Sequence, residues 1–178
     1  QVFDSLYYGE KLFQKIYNIK PPIKILKGNI ELERVYVSKR TLSFLKKIFN
    51  SKMYLLTGRS KISIQYKIKN MEEYFDVKKS YFIEDLVRDG DGNVNLFKKP
   101  SPVPLINLAE NQPTLYIGDS TEDLMLAKKA KENLNKIYFA GIVKPNDKTM
   151  EKYFMESNAD IIISSVNALP KIFKNKIR

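Results

Sequence analysis

Short apolar runs alternate along the chain with longer segments of helical period, and polar loops separate them. Ser5–Tyr17 spaces Leu6, Leu12, Phe13 and Ile16 as the inner face of a helix. Ser38 reads as the N-cap of a second helix reaching about Asn50, and Lys52–Leu56 as a buried strand closed by Thr57-Gly58-Arg59-Ser60. Lys61–Tyr74 is mostly helical and Tyr81-Phe82-Ile83 is a short strand. From there the pattern is regular: a helix over Val103–Glu110, a strand over Pro113–Ile117 and a helix over Thr121–Asn133. A strand over Lys136–Ala140, a helix over Lys148–Ser157, a strand over Asp160–Ile163 and a closing helix complete it. Strands separated by single helices predict an α/β fold, a three-layer, Rossmann-like parallel sheet with helices on both faces. Length fits one domain over 1–178, with irregular residues 18–37 left for a small cap. Arg88-Asp89-Gly90-Asp91-Gly92-Asn93 is turn chemistry, the tip of a hairpin insertion over 86–97.

Composition removes several chemistries. There is no histidine and no cysteine. Zinc sites of the usual kind, cysteine and phosphohistidine phosphatases and Ser-His-Asp hydrolases are therefore excluded, as are disulfides. No apolar run approaches a membrane span and no signal peptide stands at the start, so the expected location is the cytoplasm. A net charge of +11, from 31 basic and 20 acidic residues, raises nucleic acid as a partner. The lysines are spread along every helix without an RNA-binding aromatic motif or a helix-turn-helix, and solvated helix faces account for them better.

The densest chemical signal is Tyr116-Ile117-Gly118-Asp119-Ser120-Thr121-Glu122-Asp123. An apolar strand delivers Asp119 at its carboxyl end, and Asp123 follows four residues later in the first turn of a helix. Both carboxylates then look toward one spot, and two hard oxygen donors suit Mg²⁺. The same letters also make an ordinary helix start, with Asp119-Ser120 as cap and Asp123 against the dipole. Thr57 and Lys99 are two further signals at strand ends, and strand ends in parallel sheets gather on one edge. There the Thr57 hydroxyl and the Gly58 amide can bind phosphate oxygens. Lys99 can neutralise phosphate and nucleophile, and Asp119 can hold the metal. Arg59, Ser60, Ser120 and Glu122 lie within reach but read as structural or solvent-facing.

Three motifs in order carry a resemblance. Leu55-Leu56-Thr57-Gly58, Lys99-Pro100-Ser101-Pro102 and Gly118 to Asp123 resemble the second, third and fourth motifs of the haloacid dehalogenase-like superfamily of Mg²⁺-dependent phosphohydrolases. Ala140-Gly141, Ala159-Asp160-Ile161-Ile162-Ile163 and Leu169 resemble its tail, so the likeness runs over the whole chain. It implies hydrolysis of a phosphate monoester through an aspartyl-phosphate, with Thr57, Gly58 and Lys99 on the phosphate, and Asp119 and Asp123 at the metal. In that scheme Asp123 orients metal waters or Lys99.

The family's first motif, Asp-x-Asp-Gly-Thr, is absent. Gln1-Val2-Phe3-Asp4-Ser5-Leu6 resembles the segment that follows it, which places the nucleophilic and acid–base aspartates just upstream of Gln1. The central strand would lie there too. The chain from Gln1 alone is then expected to lack turnover and to leave two inner sheet edges bare. Asp89-Gly90-Asp91-Gly92 imitates the motif without a strand feeding it, and it lacks the glycine and glutamate spacing of a calcium hand, so no metal role is expected there. The small cap predicts an open site, suited to a small phosphorylated metabolite, to a bulkier substrate, or to closure by a second subunit in a homo-oligomer. Two alternatives remain: a non-catalytic binding or regulatory module on this fold, and a phosphatase for nucleic-acid or protein ends. A receiver domain fits poorly, because here the acidic pair follows the lysine.

Overall fold

Three parallel strands, β1 (Thr114–Gly118), β2 (Ile137–Ile142) and β3 (Ile161–Ile163), form a sheet in that order. The structure, a computed structural model, describes residues 1–86 and 98–176. In register, Thr114 stands beside Ile137, Gly118 beside Gly141, and Ala140 beside Ile161. Parallel neighbours need a crossover, and helices α6 (Thr121–Asn133) and α7 (Lys148–Glu156) provide the two. Each helix starts on a side-chain cap, Ser120 for α6 and Asp147 for α7, as expected of polar residues ahead of an apolar period.

Alternation along the strands divides the core. Tyr116, Ile137 and Phe139 join one cluster with Leu105, Leu124, Leu126 and Phe154, which lie on α5 (Val103–Ala109), α6 and α7. Leu115, Ile117, Ala140 and Ile163 join a second, with Leu45 of α2 (Lys39–Ile48) and Leu169 of α8 (Leu169–Lys176). Phe154 and Leu126 are fully buried, each worth about 1.5–3 kcal/mol on area grounds. The α/β pattern with a parallel sheet is thus as expected.

The amino-terminal half departs from its reading in four places. Helix α1 (Val2–Tyr17) starts before Ser5 and is broken at Gly9, whose φ is 72°. The break resets the helical phase, so Leu12 and Phe13 are buried while Leu6 is 40% exposed. A Cβ on Gly9 or Gly28 would run into the backbone of the other segment, so glycines let α1 and the loop before the 3₁₀ turn Asn29–Leu32 meet backbone to backbone. The helix expected over Lys61–Tyr74 is α3 (Lys61–Lys67) followed by a 3₁₀ turn, Met71–Glu73, because Asn70 takes a left-handed conformation with φ 57°. Tyr81-Phe82-Ile83 is no strand beyond Tyr81. The Asp85 carboxylate accepts from the Phe82 amide at 2.9 Å, and α4 (Ile83–Leu86) begins.

The predicted strand before Thr57 is half-buried rather than buried, and among the described residues it pairs only through a parallel bridge of Leu56 with Tyr81. Met53 O and Leu55 O accept from the amides of Asp76 and Tyr81, and Thr57 donates to Tyr81 O. Backbone groups alternate in direction along a strand, so those of Tyr54 and Leu56 point the opposite way, where they have no ladder partner among the described residues. Leu115 and Ile117 of β1 likewise face away from β2 without a ladder partner among those residues. The expected hairpin over 86–97, with Asp89 and Asp91, lies outside the described residues apart from Leu86.

Candidate functional site

At the carboxyl end of β1 the chain turns through Gly118, where a Cβ would collide with the Asp123 side chain. Glycine there lets the first turn of α6 lie flat on the strand end. Ser120 caps α6 by accepting from the Asp123 amide at 3.1 Å, and its own amide donates back to Asp123 Oδ2 at 3.2 Å, a capping box. The helix-start reading of this stretch is therefore what Ser120 and Asp123 do, with Ser120 rather than Asp119 as the cap.

Asp123 is 4% exposed and engaged on both oxygens. Oδ1 accepts from Lys99 Nζ and from the Tyr116 hydroxyl, each at 2.6 Å. Oδ2 accepts from Ser120 Oγ at 2.7 Å and from the amides of Asp119 and Ser120 at 3.2 Å. Five donors saturate the four or so lone-pair sites of a carboxylate. Burial alone would raise its pKa, but the hydrogen bonds from Lys99 and Tyr116 outweigh that and hold it below the ordinary value. Burial and the neighbouring Asp123 charge push the Tyr116 hydroxyl far up, so it stays a donor. Lys99 Nζ also stands 5.8 Å from the centre of the Tyr116 ring.

Asp119 has different surroundings. Its side chain is exposed and makes no hydrogen bond or ion pair among the described residues. Of the two carboxylates in this turn, it alone keeps its oxygens open to a cation and water. Among the described residues no three His, Cys, Asp or Glu side chains gather to hold a metal, and at this strand end Asp119 is the carboxylate left open.

Thr57 and Gly58 belong to a second group of contacts. The Thr57 hydroxyl accepts from the Arg59 amide at 3.2 Å, and space beside Gly58 is open. Leu56 packs against the cluster that holds Tyr116 and Leu124, which brings the Thr57 turn to the β1 side of the core. No hydrogen bond or ion pair among the described residues joins Thr57 to Lys99, Asp119 or Asp123. Arg59 instead meets Glu33 and Tyr7. Ser60 caps α3 and Glu122 faces solvent.

The structure thus joins Lys99 with Asp123, sets Asp119 at the neighbouring strand end, and adds three residues that sequence reasoning passed over: Tyr116, Glu33 and Tyr7. Tyr116 reads as one more apolar strand position. Glu33 and Tyr7 stand far from Arg59 in the chain, and no local spacing announces their meeting.

No family model and no curated protein matches the chain. Among solved structures it is similar to an X-ray structure determined as a target of the Northeast Structural Genomics Consortium. The TM-score is 0.68 at 17% identity, over 96% of this chain and 51% of that one. The chain thus spans about half the length of that neighbour, and the likeness is one of fold.

Proposed function

We propose that the chain forms the core of a Mg²⁺-dependent phosphohydrolase of the haloacid dehalogenase-like kind, a three-layer, Rossmann-like fold acting on a phosphate monoester of a small metabolite. The observation that carries this reading is the Lys99–Asp123–Tyr116 network beside the open carboxylate of Asp119. Asp123 fixes Lys99 at the strand-end edge, where its charge can face a phosphoryl group, and Asp119 supplies a metal ligand. Bound Mg²⁺ would supply charge neutralisation of the phosphate. Thr57 and the Gly58 amide are assigned to the remaining phosphate oxygens. The attacking aspartate is assigned upstream of Gln1, between the edges of β1 and Met53–Thr57 that have no ladder partner among the described residues. Its carboxylate would form the P–O bond as the ester oxygen leaves with a proton from the second aspartate, and water would then cleave the acyl phosphate.

The test is Asp119→Ala in the protein carrying its upstream segment. Mg²⁺ titration by calorimetry should lose its binding signal, and Mg²⁺-dependent monoester hydrolysis should fall by about 10²-fold or more. Unchanged metal binding would sink the assignment. Upstream residues without an Asp-x-Asp-Gly would favour the non-catalytic module.

A further inference from the structure

Arg59 stands two residues beyond Thr57, and its amide donates to the Thr57 hydroxyl at 3.2 Å, so its side chain starts inside the turn assigned to phosphate. The guanidinium is turned toward α1 and the 29–35 segment. Nη1 donates to the Tyr7 hydroxyl at 2.9 Å and to Glu33 Oε2 at 2.5 Å, and Nη2 donates to Glu33 Oε1 at 2.9 Å. The Tyr7 hydroxyl donates to Glu33 Oε1 at 2.7 Å. The pair is not deep: the Arg59 side chain is 46% exposed and that of Glu33 29%. Its Nε–H and second Nη2–H have no partner among the described residues.

An ion pair this exposed contributes little to folding. A guanidinium fork accepts a carboxylate or a phosphate in the same geometry, so exchange of one oxyanion for another is close to balanced. Glu33 would not be stranded by the exchange. It keeps the Tyr7 hydroxyl, feels the charge of Lys67, and borders an open cavity of about 500 Å³ that Lys67 and Lys69 also line. Among the described residues Arg59 is the cation whose amide meets the Thr57 hydroxyl, and its exposed ion pair leaves it able to change partners.

We propose that Arg59 reads a second oxyanion on the substrate's leaving group, with Glu33 as its resting counter-ion. The substrate class is then phosphate monoesters that also carry a carboxylate or a second phosphate. This rests on the phosphohydrolase reading and deepens it.

The experiment compares, in the protein with its upstream segment, the phosphate monoester of a hydroxy acid, the bisphosphate of the matching diol, and the monoester of the matching simple alcohol. One or both acidic esters should be preferred in kcat/KM by at least about tenfold, the size of a charge-assisted contact. Arg59→Ala should bring that ratio close to one, and Glu33→Gln should lower KM for the preferred ester several-fold with little change in kcat. Equal turnover of all three esters by the wild type, a preference that survives Arg59→Ala, or an unchanged KM in Glu33→Gln would overturn the proposal. Calorimetric binding of the same esters separates the two readings. If none is hydrolysed, the phosphohydrolase reading fails, and tighter binding of the acidic esters lost in Arg59→Ala would still support the role of Arg59, whereas equal binding would overturn it.

Discussion

Asp123 carries a stability burden as well as a positioning one, because its carboxylate is buried and every donor around it assumes a negative charge. Its folded pKa lies below the unfolded value of about 3.9. Stability from this group is therefore fully present above about pH 4 and is lost as pH falls through the lowered folded value. Thermal unfolding of the wild type should show a falling Tm below about pH 4, and Asp123→Asn should flatten that limb while lowering Tm at neutral pH. Tyr116→Phe removes one donor from Oδ1 and should cost about 1–2 kcal/mol in denaturant unfolding. The opposite sign holds for Tyr7, which burial and the Glu33 hydrogen bond raise to about 12. Its contribution is present below about pH 10 and lost as pH rises toward that value. Ultraviolet titration should show one late-ionising tyrosine fewer in Tyr7→Phe.

Among the elements, α2 depends on a residue far along the chain. Ser38 caps it by accepting from the Thr41 amide, while Asn167 Oδ1 accepts from the Ser38 amide at 2.9 Å and the Thr41 hydroxyl at 2.8 Å. Asn167 Nδ2 donates to Tyr36 O at 2.8 Å, so one amide ties the start of α2 to the 3₁₀ turn before α8. Asn167→Ala should cost about 1–3 kcal/mol by denaturant unfolding. Little change would mean that water replaces these bonds. The cap at Ser38 was legible in the sequence, as was α6 from Ser120, because both are local: a hydroxyl followed by an amide three residues on. The role of Asn167 was not, since its partners stand more than a hundred residues earlier. The same distinction covers the strands. β1, β2 and β3 could be read from their apolar runs because each meets its neighbour through a single helix. The run before Thr57 looks equally strand-like, yet among the described residues it pairs through one bridge, and strand formation is a property of two edges rather than of one sequence. In the site, Lys99, Asp119 and Asp123 stood out by spacing, while the burial that separates the two aspartates came from Tyr116 and Lys99 packing over α6.

For the whole molecule, the two strand edges without a ladder partner among the described residues matter most. Strand edges left open template pairing with other chains, so on the proposed reading residues 1–178 alone should self-associate on light scattering, and a chain that also carries the proposed nucleophile strand should not. A monodisperse monomer of residues 1–178 would count against a strand between β1 and Met53–Thr57. Apolar side chains at the surface, such as Phe3, Leu26, Leu32 and Tyr36, add to this tendency in the amino-terminal part. A pair of neighbouring glycines offers a cleaner handle on the molecule. Gly118 and Gly141 are register partners on β1 and β2, and each vacates the place of a side chain that the following helix fills, Asp123 over one and Phe154 over the other. The same added methyl group thus tests two different things at adjacent points of one sheet. Gly141→Ala presses on a phenyl ring and should appear as lost Tm, with the metal affinity of the proposed site kept. Gly118→Ala presses on the carboxylate that holds Lys99 and, on the proposed phosphohydrolase reading, should lower phosphate affinity as well as Tm.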